Sequence, residues 1–322
     1  MKMTLIHAVL ALALAMPGFA AGQAYPGKPV RLVVTFAAGG GADFVARTIG
    51  PKLAEYLGQP IVVENRPGAN GAVGADHVAK AAPDGYALLL GAAGTLVVSP
   101  HLGVQLPFDT FRDFAPVSLV ATSPFIVTLH PSVAASSVRD LIALAKASPG
   151  KINYGTSGTG GAPQLASELF KSMAGVNMVH VPYKGLGPAI TDLMGGQIQV
   201  VFADVGLVKG HIAAGKLKGL AVTSAARTAA VPDLPTVAEA GLPGYAAGTW
   251  YGVLAPAGTP AEIVNRVNAE VRKAIATVDV KAAFEKQGIE PAGNTPADFA
   301  AFIREESAKW AKVVREAGIK AQ

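Results

Sequence analysis

The residues most able to do chemistry in this chain lie in two glycine-rich segments. Each segment consists of an apolar run, several glycines and the start of a stretch with helical periodicity, and the two cover residues 31–43 and 152–163. A helix N-terminus carries unpaired backbone N–H groups and a partial positive charge, and glycines let a ligand oxygen approach these donors closely. Two such turns in one chain predict a cleft that binds a small anion from both sides. Tight connections of purely structural use are the alternative.

Neither segment has the pattern of a nucleotide-binding loop. The dinucleotide motif requires a third glycine, and the corresponding positions hold Phe44 in the first segment and Pro163 in the second. A Gly-Lys-Ser/Thr phosphate-binding motif does not occur in the sequence either. The two segments therefore favour a small anion over a nucleotide.

Further candidate side chains lie close to these segments or at the ends of other strands. Phe36 ends a strand just before the first segment, so we expect it to form an apolar wall. Asp43 stands at the start of a helix, where an N-cap role is favoured over ligand contact, and Arg47 is spaced to pair with it. Asp204 ends a strand of the second domain, and a ligand contact and a helix cap are equally favoured there. Tyr251 is a weaker candidate, because aromatic residues on a strand that returns to the first domain more often pack in the core.

Catalytic and metal-binding chemistry has little support in the sequence. The chain has no cysteine, which excludes a thiol nucleophile, a disulfide framework and a thiolate metal site. Its six histidines show no metal-ligand spacing, and no Gly-x-Ser-x-Gly elbow occurs. We therefore expect no catalytic residue, no metal ion and no cofactor.

The N-terminus has the layout of a secretory signal peptide. Lys2 provides a positive start, residues 8–16 form an uninterrupted apolar run, and small residues follow. The apolar run is too short to span a bilayer as a helix. We predict that residues 1–24 are removed by cleavage after Ala24, with Ala20 and Gly22 as alternative sites, and that the mature protein is soluble in the periplasm.

Composition restricts the class of partner. Of the 322 residues 51% are hydrophobic and 15% are charged, yet no stretch of eighteen apolar residues follows the signal region without Gly, Pro or a charge. The net charge of +5 is mild and the basic residues are not clustered, so nucleic acid is not an expected partner. A weak positive field would favour an anionic ligand.

Strand and helix patterns alternate along the mature chain, which predicts βαβ units and parallel sheets. One alternating series is followed by a second, and the chain then returns to an additional strand and three helices. This order predicts an α/β protein of two lobes with a hinged cleft between them and a parallel core in each sheet. We assign residues 25–122 and 232–322 to lobe 1 and residues 123–231 to lobe 2, and we expect a monomer.

The mature chain resembles the Bug (TctC-like) solute-binding receptors of tripartite tricarboxylate transporters over nearly its full length, from Tyr25 to Ile319. Each matching block is short, and the specificity comes from their order and spacing. The matching blocks are Tyr25–Pro29, Phe36–Asp43, Val63–Gly71, Pro83–Tyr86, Asp113–Val117, Asn153–Gly158, Val179–Gly185, Pro235–Gly241 and Ala255–Pro260.

The resemblance implies a periplasmic binding protein of the type II-like fold. Such a receptor would bind a small carboxylate or dicarboxylate without catalysis and deliver it to the membrane permease subunits of the transporter. The ligand would be held largely by backbone N–H groups and bridging waters, at the two glycine-rich loops and at the turn after the third strand. The residues implied in this way are Gly39, Gly40, Gly41, Ala42, Asp43, Thr95, Ser157, Gly158, Thr159, Gly160, Gly161 and Ala162.

Several positions depart from the usual family pattern. Ala42 replaces a hydroxyl residue before Asp43, Ala93 stands where an Asn is frequent, and Gln164 stands where a His is frequent. Relatives often have an acidic residue at the position of Ala203, whereas in this chain the acidic residue is Asp204, one position later. These differences predict a less polar pocket and a ligand with an apolar or aromatic body.

Two other functions remain compatible with the residues. A secreted α/β hydrolase acting on an acidic substrate would need an activated nucleophile or acid–base group beside the glycine segments. A periplasmic sensory receptor for a membrane kinase would use the same pocket as a transport receptor, so the sequence does not separate these two.

Overall fold

The computed structural model describes residues 25–183 and 185–319, and the predicted signal peptide lies outside them. The strands of this part of the chain are β1 (Val30–Val34), β2 (Ile61–Asn65), β3 (Ala87–Ala92), β4 (Phe114–Ser123), β5 (Phe125–Leu129), β6 (Asn153–Thr156), β7 (Val179–Pro182), β8 (Val200–Asp204), β9 (Lys218–Val222), β10 (Thr249–Pro256) and β11 (Glu290–Pro291). The helices are α1 (Gly41–Leu57), α2 (Ala72–Ala79), α3 (Val138–Ala147), α4 (Ala162–Ala174), α5 (Leu186–Met194), α6 (Val205–Ala213), α7 (Ala261–Ala276), α8 (Val278–Gln287) and α9 (Pro296–Ala317).

The strands form two sheets, one in each lobe. The first sheet has the order β11-β4-β10-β3-β1-β2 and the second has the order β7-β6-β8-β5-β9. In each sheet three strands are parallel, β3-β1-β2 in the first and β7-β6-β8 in the second, and the remaining strands pair antiparallel to their neighbours. The predicted parallel cores are therefore present, within mixed sheets.

The parallel strands β1 and β3 form as the sequence predicts because nearly all of their residues are apolar, on both faces. All six residues of β3 are buried, and so are four of the five in β1, since helices cover both sides of the sheet. The helix α1 ends where Gly58 adopts a left-handed backbone with φ 73° and its N–H donates to the Ala54 carbonyl. The short strand β11 was not predicted, because two residues carry no periodicity.

The chain crosses between the sheets at two adjacent places. Pro124 alone joins β4 of the first sheet to β5 of the second. On the return, Ala247 still donates its N–H to the Thr223 carbonyl of the second lobe, and β10 of the first sheet begins at Thr249. A Cβ at Gly248 would lie 2.9 Å from the Ser123 carbonyl oxygen, so the glycine lets the two crossing segments run side by side.

The return crossing lies further along the chain than the predicted lobe boundary at residues 231/232. The segment that follows β9 hydrogen-bonds to the second lobe: Val222 donates to the Pro235 carbonyl and Val237 donates to the Val222 carbonyl, each at 2.9 Å. The prolines and glycines of this segment resemble a linker in the sequence. In the structure they form turns packed on the second sheet.

The two lobes also contact each other beside the crossings. The C-terminal helix α9 packs against α4 of the second lobe, and Ser172 Oγ donates to Glu316 at 3.3 Å. On the other side α6 packs against α8, where Gly206 lies close to Gln287. Within the described residues, the helices are too short or too polar to cross a membrane.

Candidate ligand-binding site

A cavity of about 680 Å³ lies between the two lobes. It is bordered by residues that follow the carboxyl ends of the parallel strands, where open α/β sheets bind their ligands. Most of the predicted site residues line it: Phe36, Gly39, Gly40, Gly41, Ala42, Ser157, Gly158, Thr159, Gly161, Ala162 and Asp204.

Four helices begin at this cavity. The N-cap residues are Gly40 for α1, Gly161 for α4, Gly185 for α5 and Asp204 for α6, and none of them makes a side-chain cap hydrogen bond. The first N–H groups of each helix have no intrahelical acceptor, and here no side chain of the N-cap residue accepts from them. The cavity is therefore surrounded by backbone donors and by the positive ends of helix dipoles.

In the described lining of the cavity, this positive potential comes from the backbone and not from basic side chains. Among the described residues that line the cavity there is no Lys, Arg or His. Apart from Asp204, the polar side chains of this lining are neutral, such as those of Ser157 and Thr159.

The first loop is braced from behind by Asp43, which is 4% exposed and does not line the cavity. Its carboxylate accepts the Gly39 N–H at 2.9 Å, the Asn65 amide at 2.9 Å and the Arg47 Nε–H at 2.9 Å. Burial alone would raise the pKa of Asp43, but hydrogen bonds from Arg47, Gly39 and Asn65 outweigh it and hold the pKa below its usual range. The structure thus gives Asp43 a supporting role instead of the favoured N-cap position, which Gly40 occupies, and instead of the ligand contact that the resemblance implies. The Gly39 N–H is used in this support.

The second loop is braced by a neutral network. Gly160 donates its N–H to Gln164 Oε1 at 2.7 Å, and Gln164 Nε2 lies 3.3 Å from His180 Nδ1. His180 Nε2 lies 2.7 Å from Thr156 Oγ1, which donates to the Gly158 carbonyl at 3.1 Å. These roles require an acceptor at His180 Nδ1, so the ring is neutral with its proton on Nε2. Burial lowers the pKa of His180, which favours this neutral form.

Gly160 itself is buried and does not line the cavity, contrary to the prediction. It has a φ of +77°, and a Cβ there would lie 2.7 Å from Leu102 Cδ1 of the first lobe. The glycine is required by its backbone conformation and by this contact between lobes. Its N–H is used by Gln164 and is not free for a ligand.

Thr95 also lies behind the cavity wall. It is fully buried and its Oγ1 donates to the Asn70 carbonyl at 2.9 Å. Asn70, which adopts φ 51°, is the residue that lines the cavity, and its Nδ2 donates to Ser99 Oγ at 2.9 Å. Asn70, which lies within one of the matching sequence blocks, therefore occupies the place in the cavity wall that was expected for Thr95.

The apolar part of the cavity contains more aromatic surface than predicted. Phe36 lies in the wall as expected, and Phe44, Phe125 and Tyr251 join it. Tyr251 and Trp250 are neighbours on β10 and lie on opposite faces of the sheet. Trp250 packs in the core, with its ring centroid 5.7 Å from that of Phe299. The Tyr251 hydroxyl lies so close to Gly41 that a Cβ at position 41 would overlap it.

Asp204 is the one charged side chain among the described residues that line the cavity. Burial raises its pKa to about 6. It occupies the N-cap position of α6 without accepting a capping hydrogen bond, so the helix-cap role left open by the sequence is not used.

Other cavity residues come from segments that the sequence did not indicate as part of the site. Leu186, Leu207, Thr249, Gln287 and Ile289 are examples. The signal that could have found Leu186 and Leu207 is their place in the first turn of a helix that follows a parallel strand. Over residues 25–183 and 185–319 no group of three His, Cys, Asp or Glu side chains is arranged to hold a metal ion.

The fold and this cleft are those of a two-lobed periplasmic binding protein. The chain belongs to the TctC family, the receptors of the tripartite tricarboxylate transporter family, and the family model matches residues 45–319. Because this family and the solved relatives are substrate-binding proteins, the chain is a binding protein and not an enzyme.

Relatives match over nearly the whole chain. Protein BugT of Bordetella pertussis is 38% identical, over 99% of this chain and 99% of its own. A solved R. palustris protein with adipate is 38% identical, with a TM-score of 0.80 over 92% of this chain and 99% of that one. MatC from Rhodopseudomonas palustris with bound malate is 33% identical, with a TM-score of 0.76 over 90% of this chain and 100% of that one.

Proposed function

We propose that this protein is an exported receptor that binds a small organic carboxylate between its lobes and delivers it to the permease of a tripartite tricarboxylate transporter. The observation that carries the proposal is the convergence of four helix N-termini, without side-chain caps, on one cavity. Such termini are anion-binding sites because their N–H groups and dipoles both point at the ligand.

The solved relatives support this class of ligand, since one is described with adipate and another with malate. The walls of the cavity favour a carboxylate whose body is apolar or aromatic, because Phe36, Phe44 and Phe125 face the same space as the helix termini. The lobes that close on it are residues 25–123 with 249–319, and residues 124–248.

The binding step is tested by a thermal-shift screen of the purified mature chain against carboxylates, each paired with its neutral primary amide. A ligand at a hundred times its Kd adds about 2.7 kcal/mol of stability. We expect at least one carboxylate to raise the melting temperature while its amide does not. A screen in which amides and acids act alike would contradict the anion site.

The transport step is tested separately by uptake of the labelled carboxylate in a strain that lacks this receptor. Complementation with the wild-type gene should restore uptake, and the Gly40→Val variant, which narrows the cavity, should not. Normal uptake without the receptor, together with loss of a transcriptional response to the carboxylate, would favour the sensory role instead.

Export and oligomeric state belong to the same proposal. N-terminal sequencing of the periplasmic protein should begin at or near Tyr25, and light scattering should give the mass of a monomer. Recovery of intact Met1 in the cytosol would contradict export.

A further inference from the structure

Asp204 is placed in a way that neither the anion site nor the helix it precedes explains. It ends β8 and is the N-cap residue of α6, where an aspartate ordinarily accepts an N–H from the first turn. No such bond is made. Its own backbone N–H lies close enough to lower its pKa slightly against the effect of burial, and among the described residues no hydrogen bond reaches its carboxylate from another residue. Asp204 lines the cavity.

Among the described residues that line the cavity, no basic side chain compensates the charge of Asp204. Its pairing partner on β5 is Phe125, and β5 has no titratable residue. Tyr251 on β10 is the titratable neighbour: burial, and then the Asp204 charge, raise the pKa of its phenol. From α8 the neutral side chain of Gln287 reaches the cavity, while Glu285 and Lys286 are exposed. On its own helix, α6, Lys209 and His211 are not among the cavity-lining residues.

An ionised carboxylate in this cavity repels an anionic ligand unless a hydrogen-bond donor lies between the two charged groups. Groups that satisfy a desolvated carboxylate are N–H or O–H donors. Since no described residue other than Asp204 itself supplies one, the ligand is the remaining source apart from water. Because no basic side chain is present in the described lining, the carboxylate of Asp204 can accept a hydrogen bond from a donor on the ligand.

We propose that Asp204 accepts a hydrogen bond from the ligand, so that the receptor selects carboxylates that carry a second, donating group. The donor is an ammonium, a hydroxyl or an un-ionised carboxyl group at a distance from the carboxylate bound by the helix termini. The inference rests on the proposed function and adds to it a substrate class: amino acids, hydroxy acids, or dicarboxylates that bind with one proton.

The test compares matched ligands at pH 8.0 by calorimetry. One set is succinate, malate and aspartate, and the other is 3-phenylpropanoate, 3-phenyllactate and phenylalanine. In the set that binds, we expect a donor-bearing member to bind at least tenfold more tightly than its parent acid. Asp204→Ala, which removes the acceptor, should reduce this preference to less than threefold, and Asp204→Asn should do the same for an ammonium donor. Asp233→Asn, which removes an exposed charge of the same lobe, should leave the preference unchanged.

The three donors give different results in this test. An ammonium ligand loses affinity in both Asp204 variants, whereas a hydroxyl ligand retains most of it in Asp204→Asn, whose amide oxygen still accepts. A dicarboxylate without another donor should take up about one proton on binding, measured in two buffers of different ionisation enthalpy, and Asp204→Asn should abolish this uptake.

Two results would distinguish a failure of the role of Asp204 from a failure of the proposed function. If succinate or 3-phenylpropanoate binds as tightly as its donor-bearing partners and without proton uptake, or if Asp204→Ala keeps the preference, the role of Asp204 is overturned while the carboxylate receptor stands. If no carboxylate of the broad screen binds at all, the proposed function fails and the role of Asp204 fails with it.

Discussion

The two glycine-rich loops face each other across one cavity, yet they are stabilised by different chemistry. The first loop is braced by an ionised group, Asp43, which gathers donors from Gly39, Asn65 and Arg47. The second is braced by neutral groups, in which Gln164 links Gly160 to His180. Similar sequence patterns therefore conceal different supports, and the two loops should respond differently to pH and to substitution.

The largest expected effect is on the first loop. Asp43→Ala leaves the Gly39 N–H, the Asn65 amide and the Arg47 guanidinium without their acceptor, in a site that is nearly buried. Loss of one partner of such a network costs about 3 kcal/mol. We expect this decrease in the free energy of unfolding in urea, with Asp233→Asn as the control that removes a charge without a buried partner. A decrease below about 1 kcal/mol would show that the network does not support the loop.

The pH dependence of the Asp43 effect follows from its lowered pKa. A carboxyl whose pKa is lower in the folded state stabilises the protein above its unfolded pKa of about 3.9, and this stabilisation is lost as the pH falls through the folded value. The difference between wild type and Asp43→Ala should therefore be full at pH 7 and shrink below about pH 4. A difference that stays constant down to acid pH would contradict the ionic support.

The next largest effect separates the glycines of the two loops. Gly160→Val places a β-branched residue at φ +77° and 2.7 Å from Leu102, so we expect a loss of about 2 kcal/mol of stability. Gly40→Val has an ordinary φ and no atom nearer than 3.6 Å to its Cβ, so stability should change by less than about 1 kcal/mol. Carboxylate affinity should nevertheless fall at least tenfold in Gly40→Val.

Gly210→Val is the matched control for this pair, because Gly210 is an exposed position with no neighbour near its Cβ. It should change neither stability nor affinity appreciably. Normal binding by a folded Gly40→Val variant would remove the first loop from the site.

The effect on the second loop should appear in mildly acidic solution. Because burial lowers the pKa of His180, the unfolded chain binds a proton there at a higher pH than the folded chain does. Stability from this residue is full above its unfolded pKa of about 6.5 and decreases as the pH falls below that value. Protonated His180 cannot accept from Gln164, so ligand affinity should decline over the same range. His180→Gln should flatten both profiles between pH 6.5 and 5, and an unchanged slope would contradict the network.

The dependence of stability on pH should have the opposite sign for Asp204, because its ionisation destabilises the folded chain. Its pKa is raised to about 6, so the penalty of its ionisation is absent below about pH 4 and present above pH 6. The ligand-free Asp204→Asn variant should therefore be more stable than wild type at pH 8, by about 1 to 2 kcal/mol, and equal to it near pH 4. Equal stability at pH 8 would show that solvent already screens this carboxylate.

The smallest effect is expected at Arg47. Its side chain is 55% exposed and its partner is Asp43 rather than the cavity. Arg47→Ala should change carboxylate affinity by less than tenfold, about 1.4 kcal/mol, and calorimetry is the measurement. A thousandfold loss in a folded variant would mean that this guanidinium holds the ligand.

The sequence predicted the elements well where a local pattern defines them. The apolar strands β1 and β3 and the helix α1 follow directly from periodicity and from flanking glycines. The directions of β4, β5 and β10 were not predictable in this way, because antiparallel crossing strands and parallel buried strands have the same apolar composition. The end of the second lobe was misplaced because turns packed on a sheet and an exposed linker share proline and glycine.

The site was predicted to the extent that it is made of contiguous loops. Phe36 and most of both glycine-rich segments line the cavity, whereas Gln287 and Ile289 arrive from a distant turn whose position depends on how the lobes pack. Thr95 and Asp43 were expected in the site from the family resemblance, and only the three-dimensional structure shows that they support the wall from behind. Alternation along β10 shows that Trp250 and Tyr251 face opposite ways but does not show which one meets the ligand.

The central claim is that helix N-termini, and not a basic side chain, hold the carboxylate. The most direct measurement is a crystal structure of the mature protein with a carboxylate from the screen, in which the distances from the carboxylate oxygens to the nearest donors are read. We predict backbone N–H groups of residues 40–42 and of residues 161, 162 and 164 within about 3.2 Å, directly or through one water. A lysine or arginine side chain paired with the carboxylate, and no contact with either set of backbone groups, would contradict the account.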